Sequence, residues 1–370
     1  MRIGIDYRPG LYGRGGIAIY VRELVAAWAA AHPDDQLRLY GHQMRRRVIR
    51  TPTDGAGPPP AADLRAGRLP SRALSWLMKV GVGADTLLGG VDVLHWTDYT
   101  TLPSRSAPVV ATIHDCLFEE LADCYTPGMR AGLRRTTSRI VARAAQLIVP
   151  SQRTRDALLQ HFDAASDRVH IVPHGPRHLP EVEPEQRDRP FALCVGTLEP
   201  RKNQLRLIRA FRRALGDAGR AELVLVGSRG WLDEDILAAI EQAPTGSVTW
   251  LDAVGPSRLA GLYAGARAVA YPSLGEGFGL PALEALHAGK PLLVGTDTAC
   301  ADLVDGAAIV VDPRSEDALA DGLLRLMDDD TLRGQLRQRA RDVAARYTWE
   351  STARATRAVY QHAVRREVPV

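Results

Sequence analysis

A proline-rich, charged segment divides this sequence into two stretches of similar design. Residues 173–190 hold Pro173, Pro176, Pro180, Pro184 and Pro190, with Gly175 and many charged residues among them. Prolines interrupt both helices and sheet ladders, so the segment reads as an interdomain linker. On either side of it, short apolar runs alternate with longer amphipathic ones. That rhythm demands parallel sheets covered by helices on both faces. The expected fold class is therefore α/β, with two doubly wound, Rossmann-like domains. A length of 370 residues also favours two cores over one. The expected domains are 1–180 and 181–348, followed by a terminal helical segment at 349–370.

In the first half, residues 2–7 read as a buried strand, followed by the glycine-rich turn 10–16. Ile17, Tyr20, Val21, Leu24 and Val25 then mark an amphipathic helix by their spacing. Strand, glycine turn and helix are the phosphate-binding start of a doubly wound domain. Residues 13–18 match G-x-G-x-x-A, but the next strand, 37–40, is followed by Gly41-His42-Gln43. No acid stands where a dinucleotide fold would hold a ribose. Gly15 and Gly16 read as close backbone approach to a substrate, or as a plain tight turn. Residues 51–67 read as a mobile loop. Residues 71–82, with Arg72 and Lys79 among apolar residues and Arg45-Arg46-Arg47 upstream, read as a core helix with a cationic edge or as a membrane-surface segment. The strand at 91–95 ends in His95, with Asp98 just beyond; the strand at 109–113 is followed by His114-Asp115. Strand ends line the ligand crevice of parallel sheets, so His95 and His114 are candidate site residues. Asp115 could fix the tautomer of His114. The helix at 127–145 spreads five arginines over one side, a solvated face or a contact for anionic lipid.

In the second half, strands are expected at 191–196, 223–227, 248–251, 268–271, 291–294 and 308–311, and the last three helices at 319–327, 332–347 and 349–366. After the apolar run 268–271 comes a glycine-rich loop that carries Glu276 and enters a helix near Pro281, with Glu284 expected in its first turn. A helix N-terminus attracts anions. Carboxylates beside it suit a ligand that also offers hydroxyls. A ligand with both phosphates and hydroxyls is a nucleotide sugar.

Composition excludes several alternatives. The net charge of +4 is modest, and no arginine block alternates with aromatics, so nucleic acid is not an expected partner. Cys116, Cys124, Cys194 and Cys300 form no C-x-x-C pair, which suits a reducing, cytoplasmic setting. Residues 1–5 open directly on a strand, so no signal peptide is expected. No apolar run approaches the ~20 residues needed to span a bilayer.

Gly196-Thr197-Leu198-Glu199-Pro200-Arg201-Lys202-Asn203, the run 272–281 and Glu284 together resemble the retaining glycosyltransferases of family four. The glutamates keep the E-x7-E spacing, and Gly15-Gly16-Ile17, His95, His114-Asp115 and Val149-Pro150-Ser151 follow in the family's order. The likeness covers nearly the whole chain and is closest to the bacterial mannosyl- and rhamnosyltransferase-like branch. One departure is Val172-Pro173-His174-Gly175-Pro176, where the family usually has an Asn before that Gly and an Asp after it. It bears on hinge geometry and donor preference, not on fold.

The resemblance implies GT-B architecture, two Rossmann-like domains facing a cleft, with the final helix packing back on the first domain. It implies a GDP- or UDP-linked sugar donor, a glycan or lipid-linked acceptor, and no cofactor or metal. Arg201 and Lys202 would hold the diphosphate and Glu276 the sugar hydroxyls, beside the amides of Gly277, Phe278 and Gly279. Glu284 would hold the ribose, with Gly196 and Leu280 lining the donor site. Gly15 and Gly16 would close on the donor phosphate, His114 would face the donor sugar, and His95 and Asp98 would lie on the acceptor side. A peripheral position on the inner face of the plasma membrane fits this activity. The competing readings are a GT-B epimerase or phosphorylase, a binding protein without turnover and, more distantly, an NAD dehydrogenase.

Overall fold

Alternating apolar and amphipathic runs build two parallel sheets. The computed structural model describes residues 1–13, 15–42, 57–65, 82–216 and 219–366. The chain forms two compact units. The first comprises Met1–Cys116, Gly128–Gly175 and Thr348–Val370; the second comprises Leu117–Pro127 and Pro176–Tyr347.

In the first unit the strands are β1 (Arg2–Asp6), β2 (Gln36–Tyr40), β3 (Asp63–Arg65), β4 (Val93–Trp96), β5 (Val109–Thr112), β6 (Gln146–Val149) and β7 (Val169–Ile171). Their order is β3-β2-β1-β4-β5-β6-β7, every pairing parallel. In the second unit they are β8 (Phe191–Val195), β9 (Glu222–Val226), β10 (Val248–Leu251), β11 (Ala268–Tyr271), β12 (Leu292–Gly295) and β13 (Ile309–Val311). Their order is β10-β9-β8-β11-β12-β13, again all parallel. Each sheet winds outward from its first strand and then reverses. The crossover leaves a switch point beside that strand, where ligand crevices form in such folds. The switch points fall between β1 and β4 and between β8 and β11.

The last helix, Trp349–Arg366, belongs to the first unit. Its Trp349, Ala353, Val359, Tyr360 and Ala363 join a core with Tyr20, Trp28, Ile3 and Ile5. Residues 117–127, early in the sequence, pack with the second unit instead: a Cβ on Gly275 would lie 2.8 Å from the side chains of Leu117 and Leu121.

The structure corrects several local expectations. A short helix, Arg8–Tyr12, takes up the first residues of the expected glycine turn and carries Pro in its first turn. Residues 63–65, expected within a mobile loop, form edge strand β3 by pairing with β2. Glu284 lies past the first turn of helix Leu280–His287, because the helix begins at Leu280 with Gly279 as its cap. The basic segment at 71–82, save its last residue, and Arg45–Arg47 lie outside the described residues.

Candidate active site

The second switch point gathers a compact ionic cluster. β8 and β11 run side by side, Ala268 opposite Ala192 and Val269 opposite Leu193, so the loops leaving them meet. The Leu274 amide donates to the Arg201 carbonyl at 2.8 Å, tying one loop to the other. Asn203 adopts the left-handed region (φ 63°) and sends its side-chain amide to the carbonyls of Pro272 and Pro313. A Cβ on Gly227 would strike the Gly196 carbonyl at 2.0 Å, so the backbone packs too closely for any side chain there. Gly279 has φ 101°, and a Cβ on it would lie 2.1 Å from Cys300 Sγ.

Within that frame Arg201 Nη1 donates to Glu276 Oε2 at 3.0 Å and to the Gly275 carbonyl at 3.0 Å, while Nη2 donates to Glu199 Oε1 at 2.6 Å. Lys202 Nζ donates to Glu276 Oε1 at 2.7 Å and to the Tyr271 hydroxyl at 2.6 Å. The lysine stem passes 3.7 Å from where a Gly196 Cβ would stand. Two cations and two carboxylates thus lie together, nearly buried, with 12% of each cation side chain and 7% of Glu276 exposed. Burial alone would raise the carboxyl of Glu276. Lys202 and then Arg201 outweigh it and bring the group from 4.5 to about 2. Tyr271 is pushed well above its usual value by burial and by Glu276, so it stays a neutral phenol.

Glu284 lies along the same segment, 1% exposed. Its Oε2 accepts from the Tyr263 hydroxyl at 2.8 Å, and Oε1 lies 3.2 Å from Arg177 Nε. Phe278 and Leu280 are buried, the Phe278 ring edge-on to Tyr347 with centroids 5.9 Å apart.

Sequence reasoning missed Glu199, Tyr271, Tyr263 and Arg177 in this cluster. Tyr271 closes an apolar strand and Tyr263 lies in an amphipathic helix, so both look like core residues. Arg177 is hidden among the linker's charges. Only Glu199, inside the motif that carries Arg201 and Lys202, had a usable signal.

At the first switch point the expected residues separate. His95 is fully buried, with Nε2 2.8 Å from Thr112 Oγ1 and Nδ1 2.6 Å from the Tyr360 hydroxyl. Both ring nitrogens are engaged within the core, so the acceptor-side assignment of His95 is withdrawn. Burial, with His114 as neighbour, lowers it to about 3. His114 is half-buried and edge-on to Tyr20, its Nε2 3.0 Å from the Thr97 carbonyl. A carbonyl can only accept, so Nε2 carries the proton and the neutral ring keeps its lone pair on Nδ1. Thr97 O, rather than the adjacent Asp115, sets that tautomer. Asp98 is partly exposed and accepts from the Tyr99 amide. Gly15 and Gly16 are exposed at the start of helix Gly16–Ala31. Gly15 has φ 115°, and nothing lies within 4 Å of where its Cβ would be, so backbone conformation rather than crowding requires glycine there.

Comparison with known proteins adds independent findings. Residues 14–176 match a family model described as Glycosyltransferase Family 4, and residues 177–343 match one described as Glycosyl transferases group 1. The O-antigen chain mannosyltransferase B of Escherichia coli is 29% identical over 273 residues, covering 70% of this chain and 72% of that protein. A D-inositol 3-phosphate glycosyltransferase of Corynebacterium glutamicum (strain R) is 30% identical over 268 residues, 66% of this chain and 63% of that protein. Among solved structures, sucrose-phosphate synthase from Thermosynechococcus elongatus aligns with a TM-score of 0.75 at 20% identity, covering 99% of this chain and all of that one (100%). Anabaena Alr3699/HepE in complex with UDP and glucose aligns with a TM-score of 0.72 at 15% identity, covering 98% of this chain and 100% of that one. At such identities the structural likenesses speak to the fold alone.

Proposed function

This chain belongs to the glycosyltransferases, and from that premise we propose that it moves a hexose, mannose or a similar sugar, from a GDP- or UDP-linked donor to a glycan or glycolipid acceptor. The likeness to the O-antigen chain mannosyltransferase B of Escherichia coli supports a role in bacterial surface-polysaccharide synthesis, and the Anabaena complex supports a nucleotide-sugar donor. The observation that carries the reading is the convergence of Arg201, Lys202 and Glu276 at the second switch point.

The sugar–phosphate bond breaks as charge builds on the departing diphosphate. Fixed cations in a nearly dry site stabilise that charge without reorganising. Lys202 spends two of its three ammonium donors on Tyr271 and Glu276, leaving one for a phosphate oxygen. Glu276, ionised throughout the neutral range, accepts from sugar hydroxyls while holding both cations in place. Glu284 accepts from the ribose. Transfer proceeds with retention: the acceptor oxygen approaches C1 on the face the phosphate leaves, and its proton passes to the departing phosphate oxygen. The family resemblance supports donor roles for His114, Gly15 and Gly16 and an acceptor role for Asp98. No metal is needed where two side-chain cations supply the charge.

Turnover of GDP- and UDP-linked hexoses by the wild type, Arg201→Ala and Lys202→Ala, each with and without EDTA, tests this. We expect wild-type turnover to survive EDTA and each variant to lose on the order of 10²-fold or more. Near-wild-type rates in both variants would overturn the cation role. Activity lost in EDTA and restored by magnesium would overturn the metal-free mechanism. Interconversion of free nucleotide sugars without transfer would favour an epimerase.

We also propose contact with an anionic membrane surface. Helix Pro127–Arg143 contains no acidic residue and exposes Arg134, Arg135, Arg139 and Arg143. Among the described residues no helix is long and apolar enough to cross a membrane. The protein should float with phosphatidylglycerol liposomes at low salt; retention in the soluble fraction would sink the idea.

A further inference from the structure

Arg177 is the second residue of the second unit's main segment, just after the boundary at Gly175 and Pro176. Its side chain is 26% exposed, and its Nε faces the carboxylate of Glu284, 1% exposed, at 3.2 Å. A carboxylate that deeply buried is costly unless a cation or hydrogen-bond donors compensate it. Tyr263 supplies a donor to one oxygen at 2.8 Å, and Arg177 supplies the charge at the other. Burial, and then the charge of Glu284, push the Tyr263 hydroxyl well above its usual range, so it remains a donor.

Both partners are delivered by elements fastened to each other. Tyr263 rides on helix Pro256–Gly265. The linker that carries Arg177 meets that same helix at Glu183 and Glu185. The Glu185 amide donates to the Gly261 carbonyl at 2.8 Å, and Arg258 pairs with Glu185 at 3.2 Å. Gly265 permits this approach, since a Cβ there would lie 2.3 Å from the Glu185 carbonyl. The linker is thus seated on the helix that holds one side of Glu284, while its Arg177 holds the other.

We infer that Arg177 is a positioning residue for nucleotide recognition: with Tyr263 it clamps Glu284 so that the carboxylate meets the donor's ribose hydroxyls in one fixed orientation. This rests on the reading of Glu284 as the ribose-binding carboxylate. It adds a linker residue to donor selectivity, acting through Glu284 rather than on the sugar or the phosphates. An arginine suits the task better than a lysine, because its planar, weakly hydrated head holds a carboxylate in a set plane.

The test compares binding of GDP and UDP with their 2′,3′-dideoxy counterparts by calorimetry, in the wild type, Arg177→Ala, Arg177→Lys and Glu284→Ala. The wild type should prefer the ribonucleotide. Arg177→Ala should lose roughly 10-fold in ribonucleotide affinity, the scale of one hydrogen bond to a charged group. It should leave dideoxynucleotide affinity within about 2-fold, because a ligand without those hydroxyls does not use Glu284. Arg177→Lys should restore part of the preference. An Arg177→Ala variant that keeps the wild-type preference, or weakens both ligands equally, would overturn the role. If Arg177→Ala fails to fold, Arg177→Lys decides, since a purely structural cation would leave the preference intact there. Glu284→Ala separates the two levels: if it too keeps the ribose preference, the assignment of Glu284 fails, and the Arg177 role with it.

Discussion

The two switch points share a topology and differ in how they keep polar groups away from water. Beside β1 and β4 the buried histidines are neutral, and the buried Asp6 that ends β1 is paired with Arg8. His95 bridges Thr112 and Tyr360, Tyr20 reaches Thr112 at 2.9 Å, and His174 stacks on Trp349 with centroids 5.8 Å apart. Burial lowers His95, His114 and His174 alike, which keeps the imidazoles uncharged. Beside β8 and β11 the buried groups are ionised, and Glu199, Arg201, Lys202 and Glu276 compensate one another. Desolvation penalises charge in both places. It prevails where the neighbours are aromatic rings and hydroxyls, and it is overridden where two cations face one carboxylate. One frame can therefore hold neutral imidazoles in one unit and a carboxylate fixed between two cations in the other.

Acid should expose that difference with the largest effect. His95 stands at about 3 in the folded chain against a usual 6.5, so below pH 6.5 the unfolded chain takes up a proton that the folded one refuses. Its depressed folded value makes the stabilising contribution complete above 6.5 and progressively lost as pH falls toward 3. The full loss is of order 5 kcal/mol. Glu276, lowered from 4.5 to about 2, follows the same sign later: its contribution is complete above 4.5 and lost only as pH falls toward 2. Between pH 6 and 4.5 the first unit should weaken while the second holds. Hydrogen exchange resolved by strand checks this, with β1, β4 and β5 losing protection before β8, β9 and β11. Simultaneous loss, or loss in the second unit first, would break the contrast. His95→Gln should move the first-unit step to lower pH.

Much of this frame was legible in the chain itself, because strands buried on both faces leave continuous apolar runs and loops leave glycine and proline. The alternation gave both sheets, Glu276 stood out in its glycine-rich loop, and the motif at 196–203 singled out Arg201 and Lys202 by family resemblance. Their mutual bonds were not legible. They join loops 74 and 75 residues apart, brought together only because β11 inserts beside β8. His95 shows the converse. A histidine at a strand end reads as facing a ligand, but helix Trp349–Arg366 brings Tyr360 onto it from 265 positions away. Short elements, such as the five-residue helix Arg8–Tyr12 and the three-residue edge strand β3, also escaped the periodicity.

Two near-isosteric substitutions, one in each unit, sharpen the contrast at constant pH. Glu276→Gln keeps the shape and removes the charge, leaving Arg201 and Lys202 together with Glu199 as the only carboxylate among their named partners. Breaking a buried ion network from one side costs about 3–5 kcal/mol, because the remaining charges stay desolvated. Tyr360→Phe removes only the hydroxyl that meets His95 Nδ1 at 2.6 Å. The ring nitrogen is then left dry and unpaired, at about 1–3 kcal/mol. Urea unfolding followed by strand-resolved exchange should assign the larger loss to the second unit and the smaller to the first. If Tyr360→Phe were the more damaging, neutral hydrogen bonds rather than compensated charge would carry the heavier stake, and the distinction between the switch points would have to be reversed.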